Sequence, residues 1–336
     1  MVSVLSKPLG RVIAAGVGVV LVAIVWFVLQ VVAVGGPGRA VIVTVHPGDS
    51  MATIASEMHA KGVINSPLAF RIDTLLFGAP VVRVGSYEIA QNSSFAKVKA
   101  IFGAPPNVNV VSVTPGLTLH EVALQIASDM GNSFANSFVQ DANQLASASP
   151  YRPNHSLEGL LGIGSYIISP TDTPRSLVER MSAAFDKEAA SVGLSPSTTL
   201  NGLNAYQLVI AASIVEKEGY YPVNMPQVAR VIFNRLQIGQ KLQMDSTVLY
   251  YLGQDGGKVT SAMLQLHTAY NTYWASGLTP TPICAVSTTA LSAVLHAPPG
   301  SWLYFVLINK DGTMKFSTTY KEQLAAEQEA ASRGLG

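Results

Sequence analysis

The stretch Leu208-Val209-Ile210-Ala211-Ala212-Ser213-Ile214-Val215-Glu216-Lys217-Glu218-Gly219 decides how the chain is read. Seven apolar residues, broken only by Ser213, run into two glutamates. A surface helix would interpose polar residues at every turn, so this run predicts a helix buried on all sides. Gly219 suits the position just past a helix end and Pro222 hinders resumption, so the helix is expected to stop at Glu218. A carboxyl group there meets the negative end of the helix dipole and sits partly out of water. Both effects favour the neutral acid and raise its pKa, as a proton donor requires. Taken alone, the segment is equally a helix end with two solvated glutamates.

Outward from this stretch, the chain has 336 residues, enough for two domains with cores of their own. Charged residues are 12% of it and the net charge is +1, which leaves no electrostatic footprint for nucleic acid. Residues 12–34 contain no charge and are dominated by Val, Ile, Leu, Ala and Gly. That satisfies the roughly 20 residues of a bilayer-crossing helix. Lys7 and Arg11 precede the run, so the expected arrangement is a cytoplasmic N-terminus at 1–11, a single span at 12–34, and the rest outside the cytoplasm. The localisation that follows is the cell membrane, single-pass. A cleaved signal peptide ending at Val32-Ala33-Val34 is the alternative, although the apolar run is long for a signal core. Cys284 is the one cysteine, so no internal disulfide forms and stability must come from packing.

Gly35-Gly36-Pro37-Gly38 opens a linker at 35–40. Ala40 to Val45 reads as a β-branched strand, His46-Pro47-Gly48-Asp49-Ser50 as a turn ending on a helix N-cap, and Val84 to Ile89 as a returning strand. Strand, Pro-Gly-Asp-Ser and helix together resemble the start of a LysM module, which implies a small glycan-binding βααβ unit over 41–112. Val108 to Thr114, Pro115-Gly116 and Leu117 to Ala127 repeat the strand–turn–helix order and open a connecting αβ region at 113–200. Within it, Asn132 to Asn154 reads as a loop or weak helix and Pro174 to Ala190 as a helix. Ser195-Pro196-Ser197 marks the entry to a C-terminal domain at 201–336.

Several apparent motifs carry no chemistry. Gly48-Asp49-Ser50-Met51-Ala52 mimics a nucleophile elbow, yet the N-cap role accounts for Ser50. Ser94-Phe95-Ala96-Lys97 matches Ser-x-x-Lys without the Lys-Thr-Gly that should follow it. The six histidines never fall at i, i+3 or i, i+4, so neither a metal nor a cofactor is expected. Carboxylate chemistry among polar and aromatic residues remains, the usual construction of a glycan-cleaving site. Asn224 should cap a helix carrying Val228, Ile232 and Leu236, Asp245 or Ser246 a second short helix, and Asn309-Lys310-Asp311-Gly312 the tip of a hairpin. An amphipathic helix closes the chain over Thr319 to Ser332.

Five motifs follow one another over about a hundred residues: Ala-Ser-Ile-Val-Glu-Lys-Glu at 212–218, Val-Ala-x-Val-Ile-Phe-Asn-Arg-Leu at 228–236, Leu-Gln-x-Asp-x-Thr-Val at 242–248, Tyr-Asn-Thr-Tyr at 270–273 and Gly-Leu-x-Pro-x-Pro-Ile at 277–283. In this order they resemble the MltG/YceG-like endolytic murein transglycosylases. The resemblance implies an α+β chain: an N-terminal transmembrane helix, a small LysM-like domain, and a mostly helical catalytic domain with a short antiparallel sheet. It also implies a lytic enzyme that cuts nascent peptidoglycan strands at the MurNAc–GlcNAc bond and leaves 1,6-anhydroMurNAc ends. Implied partners are the glycan strands, the cytoplasmic membrane and peptidoglycan synthases.

By that pattern Glu218 is the catalytic acid. Glu216 lies about 200° around the helix and takes a supporting role, expected to pair with Arg230 or Arg235. Gln243, Asp245, Thr247, Asn271 and Tyr273 are expected to line the sugar cleft, each with a cap or buried hydrogen-bonding role as its plainer reading. Glu158, in Leu157-Glu158-Gly159, matches the family's Glu-Gly, but the residues after it depart from the pattern. Other departures are Gly219 for Thr or a small residue, Ser246 for Pro, Thr279 for Pro, Ala297 for Pro and Gln323 for His. Two other functions fit the sequence: a glycan-binding scaffold that lost turnover, and a glycoside hydrolase with Asp245 as the second carboxylate.

Overall fold

The computed structural model describes residues 6–151, 155–168, 172–219 and 221–335, with side chains from Gly16 onward. The chain divides into two compact units, Met1–Val110 and Val111–Gly336.

The first unit opens with α1 (Ser6–Val32), whose far end rests on the unit's core through Phe27 and Val31. Among the described residues, no helix is long and apolar enough to cross a membrane. Residues 12–15 of the expected span lie outside those whose side chains are described. After it come β1 (Ala40–Val45), α2 (Met51–Ala60), α3 (Pro67–Phe77), β2 (Gly85–Ala90) and α4 (Phe95–Gly103). The two strands pair antiparallel from Ala40↔Ala90 to Val45↔Gly85, giving the βααβ order expected of this region. Ser50 caps α2 by accepting the Thr53 N–H, as its place after Pro-Gly-Asp predicts. Val43, Tyr87, Phe70, Phe95 and Phe102 fill the small core.

β3 (Asn109–Val113) runs across the boundary into the second unit, which then holds α5 (Leu119–Met130), α6 (Asn132–Leu145), β4 (Gly164–Ile168), α7 (Pro174–Ser191), β5 (Thr199–Leu200), β6 (Leu203–Asn204) and α8 (Ala205–Glu218). It continues with α9 (Met225–Gln237), α10 (Asp245–Tyr251), α11 (Ser261–Leu264), α12 (Thr288–Leu295), β7 (Tyr304–Leu307), β8 (Met314–Ser317) and α13 (Tyr320–Ser332). The class is α+β, mostly helical, with two-stranded sheets.

α8 is the axis of this unit. Every residue from Leu208 to Val215 is buried, and α9 and α12 pack against it. The helix ends at Glu218 as expected, but for a different reason. Gly219 keeps right-handed torsions (φ −69°, ψ −20°) rather than the left-handed ones of a usual glycine stop. A Cβ there would meet Met225 Cγ at 2.5 Å and the Val215 carbonyl oxygen at 2.8 Å, so close approach, not torsion, demands glycine. Ser213, the one polar break, is fully buried. Its hydroxyl donates to Ile210 O at 2.8 Å and accepts the Ile283 N–H at 3.0 Å, which ties the 277–283 loop to α8.

One local expectation, a loop or weak helix from residue 132, is decided for a helix, and another is corrected. Residues 132–145 form the full helix α6, because Ala135, Phe138 and Ala142 share one face buried against α5 and α7. Neither Asn224, Asp245 nor Ser246 caps its helix with its side chain. Asn224 instead bonds the Gly312 carbonyl at 2.8 Å, bracing the β7–β8 hairpin, whose register runs from Tyr304↔Ser317 to Leu307↔Met314.

Candidate active site

The end of α8, the start of α5, the 157–159 turn and α10 enclose a cleft of about 760 Å³ in the second unit. Six carboxyl groups line it: Glu121, Glu158, Glu216, Glu218, Asp245 and Asp255. Lys217 and His120 are the basic side chains on its walls, and Lys217 is held 2.7 Å from Asp255. Tyr250, Tyr251 and Tyr270 supply an aromatic wall, with ring centres 5.3 Å apart for Tyr250–Tyr270 and 6.3 Å for Tyr251–Tyr270. Flat rings beside acids suit a sugar, whose C–H faces stack while its hydroxyls bond. A second hollow, of about 870 Å³, is walled by Tyr151, Pro196, Leu203, Tyr206 and Leu278, with no acidic side chain among the described residues on its walls.

Glu218 is half-buried at the cleft floor. Protein crowds its carboxyl group, and this desolvation raises its pKa. Ser246 opposes that by donating both its hydroxyl (2.7 Å) and its backbone N–H (3.3 Å) to Glu218 Oε1, while the nearby Asp245 charge pushes the pKa up again. The balance is a carboxyl group protonated above the ordinary glutamate range, with two donors already aimed at the anion it becomes. A group in that state can give a proton and take one back. The proline expected at 246 would offer Glu218 neither donor.

Glu158, on the same cleft, is buried. Its carboxyl group accepts the Leu119 N–H at the start of α5 (3.0 and 3.2 Å to its two oxygens) and the Tyr250 hydroxyl at 3.1 Å. Burial outweighs these bonds and pushes its pKa up to about 7. Gly159 permits this placement. It sits at φ +73°, and a Cβ would collide with Pro282 and approach Cys284 O at 3.0 Å.

Glu216 takes a structural role, but with a partner other than the two arginines. Its Oε2 accepts the Ser287 N–H at 2.8 Å and the Ser287 hydroxyl at 2.6 Å, clamping the N-terminus of α12. Neither arginine reaches it. Arg230 donates to the carbonyls of Ala297 and Pro298, and Arg235 to those of Leu242 and Leu303, so both guanidinium groups bridge α9 to backbone oxygens.

Of the five residues expected to line the cleft, Asp245 does so. The Tyr273 hydroxyl donates to Asp245 Oδ1 at 2.6 Å, one step behind the wall. The other three support the wall and are not among the described residues that line it. Buried Asn271 donates to the carbonyls of Leu264 and Leu266, buried Thr247 bonds Met244 O and Thr272 Oγ1, and Gln243 accepts from Arg235 at 3.4 Å. Reading from sequence missed Ser246, Tyr250 and Tyr270. The spacing of Ser246 and Tyr250, four apart on one helix, was the available signal. Among the described residues, no group of three His, Cys, Asp or Glu side chains could hold a metal ion.

The fold and cleft therefore define an acid–base site built on carboxyl groups. The model of the YceG-like family matches residues 43–329, and the chain belongs to that family. An endolytic murein transglycosylase of Bacillus subtilis (strain 168) is 28% identical over 308 residues, covering 86% of this chain and 84% of the relative. A protein of the same description from Streptococcus pneumoniae serotype 2 (strain D39 / NCTC 7466) is 25% identical over 84% of this chain, which spans 57% of that relative's length. The 2.6 Å crystal structure of the yceG-like protein lmo1499 from Listeria monocytogenes shares the fold, with a TM-score of 0.59 and 24% identity over 86% of this chain and 99% of that one.

Proposed function

We propose that the chain is an endolytic murein transglycosylase that cuts peptidoglycan glycan strands and leaves 1,6-anhydroMurNAc ends. The observation that carries this reading is Glu218: a desolvated carboxyl group at the floor of an aromatic-walled cleft, with Ser246 ready to stabilise its anion. As an acid, Glu218 gives its proton to the glycosidic oxygen between MurNAc and GlcNAc while the C1–O bond breaks and positive charge develops at C1. As a carboxylate, it then takes the proton of the MurNAc C6 hydroxyl as O6 closes on C1. No water is consumed and the acid is regenerated.

We further propose that residues 12–34 anchor the chain in the cell membrane with the catalytic unit outside the cytoplasm. The support is the uncharged run itself and Lys7 and Arg11 before it. Residues 41–112 are proposed as a LysM-like glycan-binding unit, supported by the antiparallel βααβ order. Peptidoglycan synthases are the proposed protein partners, a reading that rests on the family alone.

A hydrolase is the competing reading, because Asp245 shares the cleft and its charge acts on Glu218. The test is mass spectrometry of products from uncrosslinked glycan strands, comparing the full chain with its Glu218→Gln variant. Anhydro ends from the unaltered chain alone support the transglycosylase. Reducing ends overturn it in favour of hydrolysis. Retained strand binding with no cleavage by either protein overturns it in favour of a scaffold.

A further inference from the structure

α3 buries two of its three polar side chains, Asp73 and Thr74, while Arg71 is exposed, and Lys99 holds Asp73 at 2.7 Å. Ala69 and Phe70 fill the core beside them. The remaining face repeats at helical spacing through Leu68, Ile72, Leu75 and Leu76 and is open, with Leu75 86% and Leu76 66% exposed. Phe77, the last residue of the helix, and Val81 beyond it extend the face and are 68% and 79% exposed. A helix surface meant for water carries polar residues, and an open face of this kind marks a contact.

Two observations say what covers it. First, α1 packs against α3 and α4 of the same unit, and its outward side chains, from Val17 and Val22 to Val25 and Leu29, are apolar and exposed. α3 is thus packed beside a helix whose outward side is itself apolar. Second, Arg71 within α3 and Arg83 two residues after Val81 are exposed, and their charge suits the phosphates of anionic lipids.

We propose that Leu68, Ile72, Leu75, Leu76, Phe77 and Val81 form a membrane-docking face that seats the first unit in the headgroup–acyl boundary of an anionic bilayer. The proposal rests on the membrane-anchor reading of α1. It adds that the small unit lies against the bilayer instead of swinging freely on the 35–40 linker.

The full chain is reconstituted in vesicles of phosphatidylcholine with a minority of phosphatidylglycerol. An environment-sensitive NBD label is placed on Leu75→Cys and, separately, on Val22→Cys. Cys284 is fully buried, so the introduced thiol takes the label. Lipids carrying a doxyl quencher high on the acyl chain are then included. The expected result is a blue-shifted Leu75→Cys emission that loses about half or more of its intensity to the quencher. If the Val22→Cys label is quenched and the Leu75→Cys label is not, the docking face is overturned and the anchor stands. Quenching of neither overturns the anchor and the docking face with it. A blue shift at 75 without quenching means a second copy of the chain covers the face, which also overturns the proposal.

Discussion

Ser246 meets Glu218 twice, its hydroxyl at 2.7 Å and its backbone N–H at 3.3 Å from the same carboxyl oxygen. Both bonds favour the anion, whereas burial and Asp245 favour the acid. The site is therefore adjustable from two sides.

Ser246→Ala removes the hydroxyl and Ser246→Pro removes both donors, at a first-turn position where proline is tolerated. Either change raises the Glu218 pKa, so the alkaline limb of the kcat/KM profile moves to higher pH, further for Pro than for Ala. Asp245→Asn removes the opposing charge and moves the limb to lower pH. Rates at each variant's own optimum should stay within about tenfold of the unaltered chain. Limbs that stay in place in all three would disconnect Glu218 from the profile.

Glu158 should make stability depend on pH. Its pKa is 4.5 when exposed and about 7 in the fold, so the folded chain binds the proton more tightly. The stabilisation is full below pH 4.5 and is lost as pH rises through about 7. The swing is about 3 kcal/mol at roughly 1.4 kcal/mol per unit. Chemical denaturation of Glu158→Gln at pH 5 and pH 8 should show the variant gaining on the unaltered chain as pH rises.

Glu216→Ala leaves the Ser287 N–H at the head of α12 without its charged acceptor. The expected loss is about 1–3 kcal/mol of stability, with glycan cleavage within about threefold of the unaltered chain. Glu218→Gln should do the opposite, abolishing cleavage while keeping the thermal midpoint. Equal loss of cleavage from both would mean that Glu216 acts on substrate.

Gly159→Ala combines a left-handed backbone with a Cβ aimed at Pro282 and the Cys284 carbonyl. A loss of at least about 2 kcal/mol is expected, read as a lower midpoint in urea. An unchanged midpoint would mean that the 157–159 turn is free to move.

The buried run ending at Glu218, the β7–β8 hairpin and the closing helix were legible because each is written in local periodicity. The partners of the acids were not. Ser246 lies 28 residues from Glu218, Tyr250 lies 92 from Glu158 and Ser287 lies 71 from Glu216. No spacing rule spans such intervals. Asn271 and Thr247 looked like sugar ligands because amides and hydroxyls serve equally to bond carbonyls inside a fold. α6 was hidden for the converse reason: its Ser- and Asn-rich surface conceals an apolar stripe that only α5 and α7 give a purpose.

α10 is seven residues long, yet Asp245, Ser246 and Tyr250 on it touch Tyr273, Glu218 and Glu158. Such a segment tolerates substitution far better than a change of length. One residue inserted between Ser246 and Tyr250 would turn the tyrosine by about 100° and leave Glu158 behind. In the 252–257 stretch beside it Asp255 is tied to Lys217, so in this family insertions and deletions should gather at Gly256 and Gly257 and spare the seven positions of α10.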